Sequence, residues 1–333
     1  MPPAMAVERP TLLESIRGTV SVDLAAVDAT VRRELASDVA LVNQVADYII
    51  GAGGKRLRPL LVLLAARAAG AASLGPQVAA AVVIEFIHTA TLLHDDVVDG
   101  SRQRRGRDTA NEVWGNAASV LVGDFLYSRA FQMMVRLGSL RVMEIMADAT
   151  NVIAEGEVLQ LMNANDPDTS EARYLDVIYR KTARLFESGA QIAAVLAGAN
   201  LATEQALAAY GRHLGNAFQL VDDALDYRGS ASERGKNTGD DLAEGKPTLP
   251  LIHALRHATP AQQALLRGAI ERGGIENLAP VLAVIESSGG LEYTARLAQS
   301  EADQALAALE PLSDTVHTEA LRKLAGFAIS RSY

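Results

Sequence analysis

An all-α bundle is the fold this sequence predicts, and three observations predict it. Apolar residues make up 49% of the 333-residue chain but aromatics only 5%. The apolar content is mostly Ala, Leu and Val, which suits close helix packing better than sheets. Apolar positions recur every three to four residues along most of the chain, and no run alternates as a half-buried strand would.

The elements follow in order. Val20, Leu24, Val27, Val31, Leu35, Val39, Val42 and Tyr48 or Ile49 form one stripe, predicting a single long helix. Gly51-Ala52-Gly53-Gly54 breaks it. Leu57 to Ala69 predicts the next helix, with Pro59 tolerated in its first turn. Gly75-Pro76 opens a third, running through Asp99 to a stop at Gly100. Further helical patterns cover 108–136, 139–163, 170–199 and 203–228. Asp166-Pro167-Asp168 reads as a turn before an N-cap at Thr169 or Ser170. Residues 229–246 differ, with four glycines and many charges, the composition of a mobile loop. Helical patterns resume beyond Pro247. The expected architecture is one domain over 1–333, a bundle of about a dozen helices, with 1–19 as a flexible N-terminus.

Charge and composition exclude several classes. A net charge of -9 without a long basic run argues against a nucleic-acid partner. The absence of cysteine excludes disulfides and thiolate ligands, and fits a reducing compartment. Met1 to Val20 carries Glu8 and Glu14 and lacks a signal-peptide core. No uncharged apolar stretch reaches the roughly 20 residues of a membrane span. The most apolar region, Ala79 to Leu93, is interrupted by Glu85 and His88. The expectation is a cytoplasmic protein that is not transmembrane.

Two acidic triplets carry the chemistry. Asp95-Asp96-Val97-Val98-Asp99 and Asp222-Asp223-Ala224-Leu225-Asp226 each place two carboxylates four residues apart on one helical face. Like charges at that spacing weaken a bare helix, so the pattern calls for a cation. Mg²⁺ fits, because it takes oxygen ligands and binds one or two carboxylates together with substrate phosphates. The plain alternative is a solvated acidic face. Leu92 and Leu93 before the first triplet, and Phe218, Leu220 and Val221 before the second, argue against it.

Basic groups answer the acids. Arg102, Arg104 and Arg105 follow the first triplet, and guanidinium forks suit phosphate oxygens. Lys55, Arg56 and Arg58 lie at a helix start, where backbone N–H groups also favour anions. Lys236 and Lys246 fall in the glycine-rich loop. None of the Gly-Lys pairs has the upstream glycine of a phosphate loop, so nucleotide triphosphatase chemistry is excluded. His88 precedes Asp95 by seven residues, two turns along the same face. His94 and His213 read as ordinary packing residues.

The chain resembles the trans-polyprenyl diphosphate synthase family from about residue 10 to its end. The motifs are Gly54-Lys55-Arg56-Leu57-Arg58-Pro59, His94-Asp95-Asp96-Val97-Val98-Asp99 with Arg104-Arg105-Gly106, Tyr179-Arg180-Lys181-Thr182, Phe218-Gln219-Leu220-Val221-Asp222-Asp223, and Gly239-Asp240-Asp241-Leu242 through Gly245-Lys246-Pro247-Thr248-Leu249-Pro250. The resemblance implies an isoprenoid synthase bundle around a central apolar cavity, and a prenyltransferase that condenses isopentenyl diphosphate onto an allylic diphosphate such as farnesyl diphosphate. It implies that Lys55, Arg58, His88 and Arg105 hold isopentenyl diphosphate. Asp95, Asp99 and Asp222 would ligate Mg²⁺, supported by Asp96 and Asp226. Arg104, Lys181, Lys236 and Lys246 would neutralise the leaving diphosphate, with Thr182 and Gln219 beside the reacting carbons. It also implies a homodimer, a product destined for a quinone side chain, and transient membrane contact for release.

Product length is read from the helix before the first triplet. Ala90 and Thr91 lie about one turn back from Asp95, roughly 5 Å along the axis. In short-chain relatives a bulky aromatic there stops growth; Ala90 and Thr91 are small. Phe131, Met133 and Met134 are then candidates for a deeper floor. Overall similarity implies eight isoprene units, with seven, nine and ten as alternatives. A terpene cyclase or an inactive partner subunit fits less well, because both triplets are intact.

Overall fold

The computed structural model describes residues 11–51, 54–73, 75–104, 106–228 and 239–330. The chain runs through α1 (Leu12–Gly18), α2 (Ser21–Leu35), α3 (Ala40–Gly51), α4 (Leu57–Ala68) and α5 (Gly75–Val98). A hairpin of β1 (Gln103–Arg104) and β2 (Arg107–Asp108) follows, then α6 (Ala110–Trp114), α7 (Asn116–Leu137), α8 (Leu140–Asn163) and α9 (Glu171–Ile178). A π-helical segment, Tyr179–Ala183, leads into α10 (Arg184–Leu196) and α11 (Leu201–Asp226). After 229–238, which lie outside the described residues, come α12 (Asp240–Ala243), α13 (Leu249–His257), α14 (Pro260–Arg272), α15 (Leu278–Ser287), α16 (Gly290–Ala308) and α17 (Val316–Ser330). The all-α expectation holds. The two-residue strands are too short to leave an alternating pattern.

Three local expectations change. The long first stripe is two helices, because α2 ends at Leu35 and Ala36 turns to an extended backbone (ψ 129°). Asn43 closes the link: its carboxamide accepts from the Ser37 N–H at 3.0 Å and donates to the Ser37 carbonyl at 2.8 Å. Val39, counted in the stripe, is 58% exposed. Within the expected flexible N-terminus, residues 12–18 are a helix started by a capping box between Thr11 and Glu14, and Ile16 is buried. Within 229–246, residues from Gly239 onward are packed, with Leu242 fully buried. Their first turn is capped by the Asp226 carboxylate, which accepts from the Asp241 N–H at 3.1 Å.

α5 is the axis of the bundle. It packs against α2, α4, α7 and α10, and α10 in turn packs against α11 and α8. By length and hydropathy α5 would pass for a membrane span, yet 61% of its most apolar window is buried inside the fold. One large apolar core surrounds it, and a second, smaller core joins α12–α16 to the end of α11.

Close helix contacts set the geometry around the π segment. A Cβ at Gly156 of α8 would lie 2.7 Å from Arg180 Cβ and 2.8 Å from the Lys181 backbone N. On the other side, Cβ atoms at Gly211 and Gly215 of α11 would lie 2.5 Å from the Phe186 carbonyl O and the Ala183 Cα. These glycines let α8 and α11 pinch the π turn. A π turn shifts the register of the side chains that follow it, and here Lys181 and Thr182 both reach the same cavity.

Candidate active site

The ends of α5 and α11, the start of α4, the π segment and the turn after α12 enclose a cavity of about 770 Å³. Both triplets reach it. Along α5, His88, Thr91, Asp95 and Asp99 line one wall, as a repeat of three to four residues requires. Asp222 and Asp226 of α11 line another. Each triplet closes its helix, where the backbone dipole is itself negative, so the carboxylates sit where cations are most needed.

Two lysines meet the first triplet. Lys181 Nζ lies 3.3 Å from Asp95 Oδ2, and Lys246 Nζ lies 2.8 Å from Asp99 Oδ2. Each has a second carboxylate at 2.5 Å, Glu157 for Lys181 and Glu244 for Lys246. Burial alone would lower the Lys246 pKa, but Glu244, Asp99 and Asp241 outweigh it and hold the ammonium protonated well above the ordinary range. Lys181 is raised likewise, with Asp95 and Glu157 opposing burial. Burial pushes the Glu157 carboxyl up to about 7 against the pull of Lys181, with Asp95 adding to the rise.

The second triplet is tied to the π segment by a polar chain. Thr182 Oγ1 donates to Gln219 Oε1 at 2.8 Å, and Gln219 Nε2 donates to Asp223 Oδ1 at 2.7 Å. The Tyr174 hydroxyl donates to the other Asp223 oxygen at 2.5 Å. Burial pushes the Asp223 carboxyl up to about 7 despite these two bonds, and Asp222 and Asp226 push the same way.

The other end of the cavity is basic and aromatic. Arg58 Nη1 donates to His88 Nε2 at 3.0 Å. Guanidinium cannot accept, so His88 Nε2 is the acceptor in this contact. The Arg58 guanidinium lies 4.4 Å over the Phe186 ring, and Phe186 packs against Phe218 with centroids 5.9 Å apart. Arg56 pairs with Glu85 at 2.9 Å, and the Lys55 ammonium sits 5.4 Å from the Phe327 centroid.

Of the residues singled out in the sequence, the structure gathers Lys55, Arg58, His88, Thr91, Asp95, Asp99, Arg104, Lys181, Thr182, Gln219, Asp222, Asp226 and Lys246 around this cavity. Arg105 and Lys236 lie outside the described residues. Asp96 turns away from it. Its side chain is 1% exposed and engages Arg104, Nη2 at 2.7 Å and Nε at 2.9 Å. Burial would lower the Arg104 pKa, but Asp96 outweighs it and keeps the fork charged. Ala90 also leaves the cavity wall, because five residues back from Asp95 is about 140° around the helix. It is fully buried in the core, as is Met134; Met133 is buried beside them and Phe131 is half-buried against the same core. Thr91 is the residue of this group on the wall.

Sequence reasoning did not single out Glu157, Glu244, Tyr174 or the role of Asp223. Gly211-x-x-x-Gly215, a spacing that permits close helix approach, was the available signal for the pinched π turn.

The donors suit a hard divalent cation. Asp95, Asp99 and Asp222 offer only carboxylate oxygens, the ligand type of Mg²⁺ and Ca²⁺. Among the described residues no three acidic or imidazole groups converge as a ready-made ion site. Such a donor set fits an ion whose coordination is completed by water and by oxygens of a bound diphosphate.

Facing carboxylates and ammoniums at one end, and guanidinium and aromatic groups at the other, define a prenyl-transferring enzyme that handles diphosphates. Comparison with known proteins agrees. The family model for polyprenyl synthetase matches residues 39–285, and the chain belongs to that family. It is 57% identical over 320 residues to octaprenyl diphosphate synthase of Escherichia coli (strain K12), spanning 96% of this chain and 99% of that protein. It is 46% identical to an all-trans-nonaprenyl-diphosphate synthase (geranyl-diphosphate specific) of Rhodobacter capsulatus, spanning 96% and 98%. Among solved structures, a polyprenyl synthase from Caulobacter crescentus CB15, complexed with calcium and isoprenyl diphosphate, matches with a TM-score of 0.93 at 46% identity, over 96% of this chain and 98% of that one. The expected isoprenoid synthase architecture is therefore the observed one.

Proposed function

We propose that this enzyme extends an allylic diphosphate, such as farnesyl diphosphate, with successive isopentenyl diphosphate units to an all-trans product of eight units. The observation that carries the reading is the placement of Asp95, Asp99 and Asp222 on the walls of one cavity, with Lys181 and Lys246 already on the first two. The 57% identity to an octaprenyl synthase favours eight units over seven, nine or ten.

Asp95, Asp99 and Asp222 would hold Mg²⁺, which would supply charge stabilisation for the leaving diphosphate. Lys181 and Lys246 face the same oxygens and take up charge as the allylic carbon–oxygen bond breaks. Arg104, held by Asp96, lines the same cavity. Lys55, Arg58 and His88 anchor isopentenyl diphosphate at the opposite end, with its double bond toward the allylic carbon. Phe186 and Phe218 line the cavity and displace water that would quench the cationic carbon. A new carbon–carbon bond forms, and the proton lost from the isopentenyl unit passes to the departing pyrophosphate. The Thr182–Gln219 hydrogen bond braces the wall beside the reacting carbons. By family resemblance Arg105 and Lys236 join the two diphosphate sites.

The enzyme works in the cytoplasm as a homodimer, and its product supplies a quinone side chain. An exposed stripe on α8, formed by Leu140, Ala147, Ala154, Val158 and Leu161, favours pairing of two copies. Light scattering of the purified protein reads the oligomeric state. For the activity, the protein is incubated with farnesyl diphosphate, isopentenyl diphosphate and Mg²⁺, and products are sized by mass spectrometry. Eight-unit diphosphate is expected. A hydrocarbon released without isopentenyl diphosphate would make it a cyclase, and no product from the purified chain would make it a partner subunit.

A further inference from the structure

Two of the cavity lysines, Lys181 and Lys246, each stand between a triplet aspartate and a glutamate that belongs to neither triplet. On one side the order is Glu157–Lys181–Asp95, with 2.5 Å to the glutamate and 3.3 Å to the aspartate. On the other it is Glu244–Lys246–Asp99, with 2.5 and 2.8 Å. Glu157 comes from the middle of α8 and Glu244 from the turn after α12, so unrelated segments build the same arrangement twice. In both, the glutamate is the nearer partner. All six side chains line the one cavity.

We propose that Glu157 and Glu244 are positioning residues that hold the two lysines so that Asp95 and Asp99 can be released to the divalent cation. This rests on the prenyl transfer reading above. An ammonium with a single carboxylate partner in a shielded site grips it, and an incoming cation must break that pair before it can bind. Here the nearer glutamate keeps the ammonium paired when the aspartate leaves. The lysine then stays on the wall, ready for the diphosphate. Net charge points the same way. With Glu244 ionised, the Glu244–Lys246–Asp99 group carries one negative charge in excess, whereas a Gln–Lys–Asp group there carries none and attracts a cation less.

The test uses Glu157→Gln and Glu244→Gln, singly and together, in the full chain. Binding of inorganic pyrophosphate is measured by calorimetry across a Mg²⁺ titration, beside steady-state kinetics and thermal denaturation without metal. Each single variant should need about three- to tenfold more Mg²⁺ for half-maximal pyrophosphate binding, the scale of one charge contact in a partly shielded site. The double variant should need more still. The KM for isopentenyl diphosphate, which binds at the Arg58 end, should not move. Binding curves that superimpose on wild type, from a wild-type protein that makes prenyl product, overturn this inference alone. A wild-type protein that makes no prenyl product overturns the prenyl transfer reading and this inference with it. A shift in isopentenyl KM equal to the shift in Mg²⁺ requirement, or a matching loss of thermal stability, marks general damage and also overturns it. Because the two glutamates sit on separate segments, Glu244→Gln carries the test should Glu157→Gln fail to fold.

Discussion

Gly156→Ala adds one methyl group and should cost far more than a methyl group usually does. The new Cβ would stand 2.7 Å from Arg180 Cβ and 2.8 Å from the Lys181 backbone N. Normal contact is about 3.5–4.0 Å, so one of the two elements must retreat by roughly 1 Å. The Lys181 nitrogen is backbone and cannot rotate away. The π turn moves, and Lys181 and Thr182 move with it. Overpacking of this kind costs about 1–3 kcal/mol, less up to about 1 kcal/mol from the better helix propensity of Ala. For 333 residues each kcal/mol corresponds to on the order of 1–2 °C in Tm, so Tm should fall by a few degrees. Displacing catalytic groups by about 1 Å costs about a hundredfold in rate. The kcat with allylic substrate should therefore drop by ~10- to 100-fold, while the KM for isopentenyl diphosphate changes little. Gly326→Ala is the control: it lies in α17 with nothing within 4 Å of the added Cβ. It should stabilise by about 0.4–1 kcal/mol. Wild-type kcat together with an unchanged Tm in Gly156→Ala would refute the claim that close approach of α8 positions Lys181.

Thr91→Phe should shorten the product and leave the first condensation intact, whereas Ala90→Phe should chiefly destabilise the core; mass spectrometry showing the reverse would mean that the growing chain follows the other face of α5. Asp95→Asn should abolish elongation with little loss of Tm. Asp96→Asn should lower Tm, because it leaves the Arg104 fork without its charged partner, a change worth about 3–5 kcal/mol when such a pair is fully buried; equal Mg²⁺ phenotypes for the two variants would contradict the division between them. The raised Asp223 pKa favours folding in its protonated form. That stabilisation is complete below about pH 3.8 and is lost as pH rises through about 7. The metal-free protein should lose at most about 1.4 kcal/mol per pH unit from this group, and Asp223→Asn should flatten that part of the Tm–pH curve; identical curves would remove Asp223 as its source.

Much of the site was readable from the sequence because its logic is local. Asp95 and Asp99, or Asp222 and Asp226, share a face through helix geometry alone, and Leu92 and Phe218 mark those faces as enclosed. The limits of α5 were equally plain from Gly75-Pro76 and Gly100. What stayed hidden depends on contacts between distant segments. No local pattern says that Asp96 belongs to Arg104, that Glu157 reaches Lys181, or that Gly156 lets two backbones touch. The Val39 position fitted the apolar stripe by period, yet the Ser37–Asn43 bonds ended the helix first. Thr11-x-x-Glu14 was a legible capping box that an overall reading of the N-terminus passed over.

The burial of α5 has a consequence for how the protein is born. Residues 75–98 leave the ribosome with α2 and α4 already made, but α10, which covers another flank, is encoded about 90 residues later. At roughly 5–20 residues per second of synthesis, that flank stays bare for about 5–20 s. During this interval the nascent chain displays a segment greasy enough for a chaperone or the membrane-insertion machinery to grasp. That flank of α5 is therefore covered only after α10 has been synthesised.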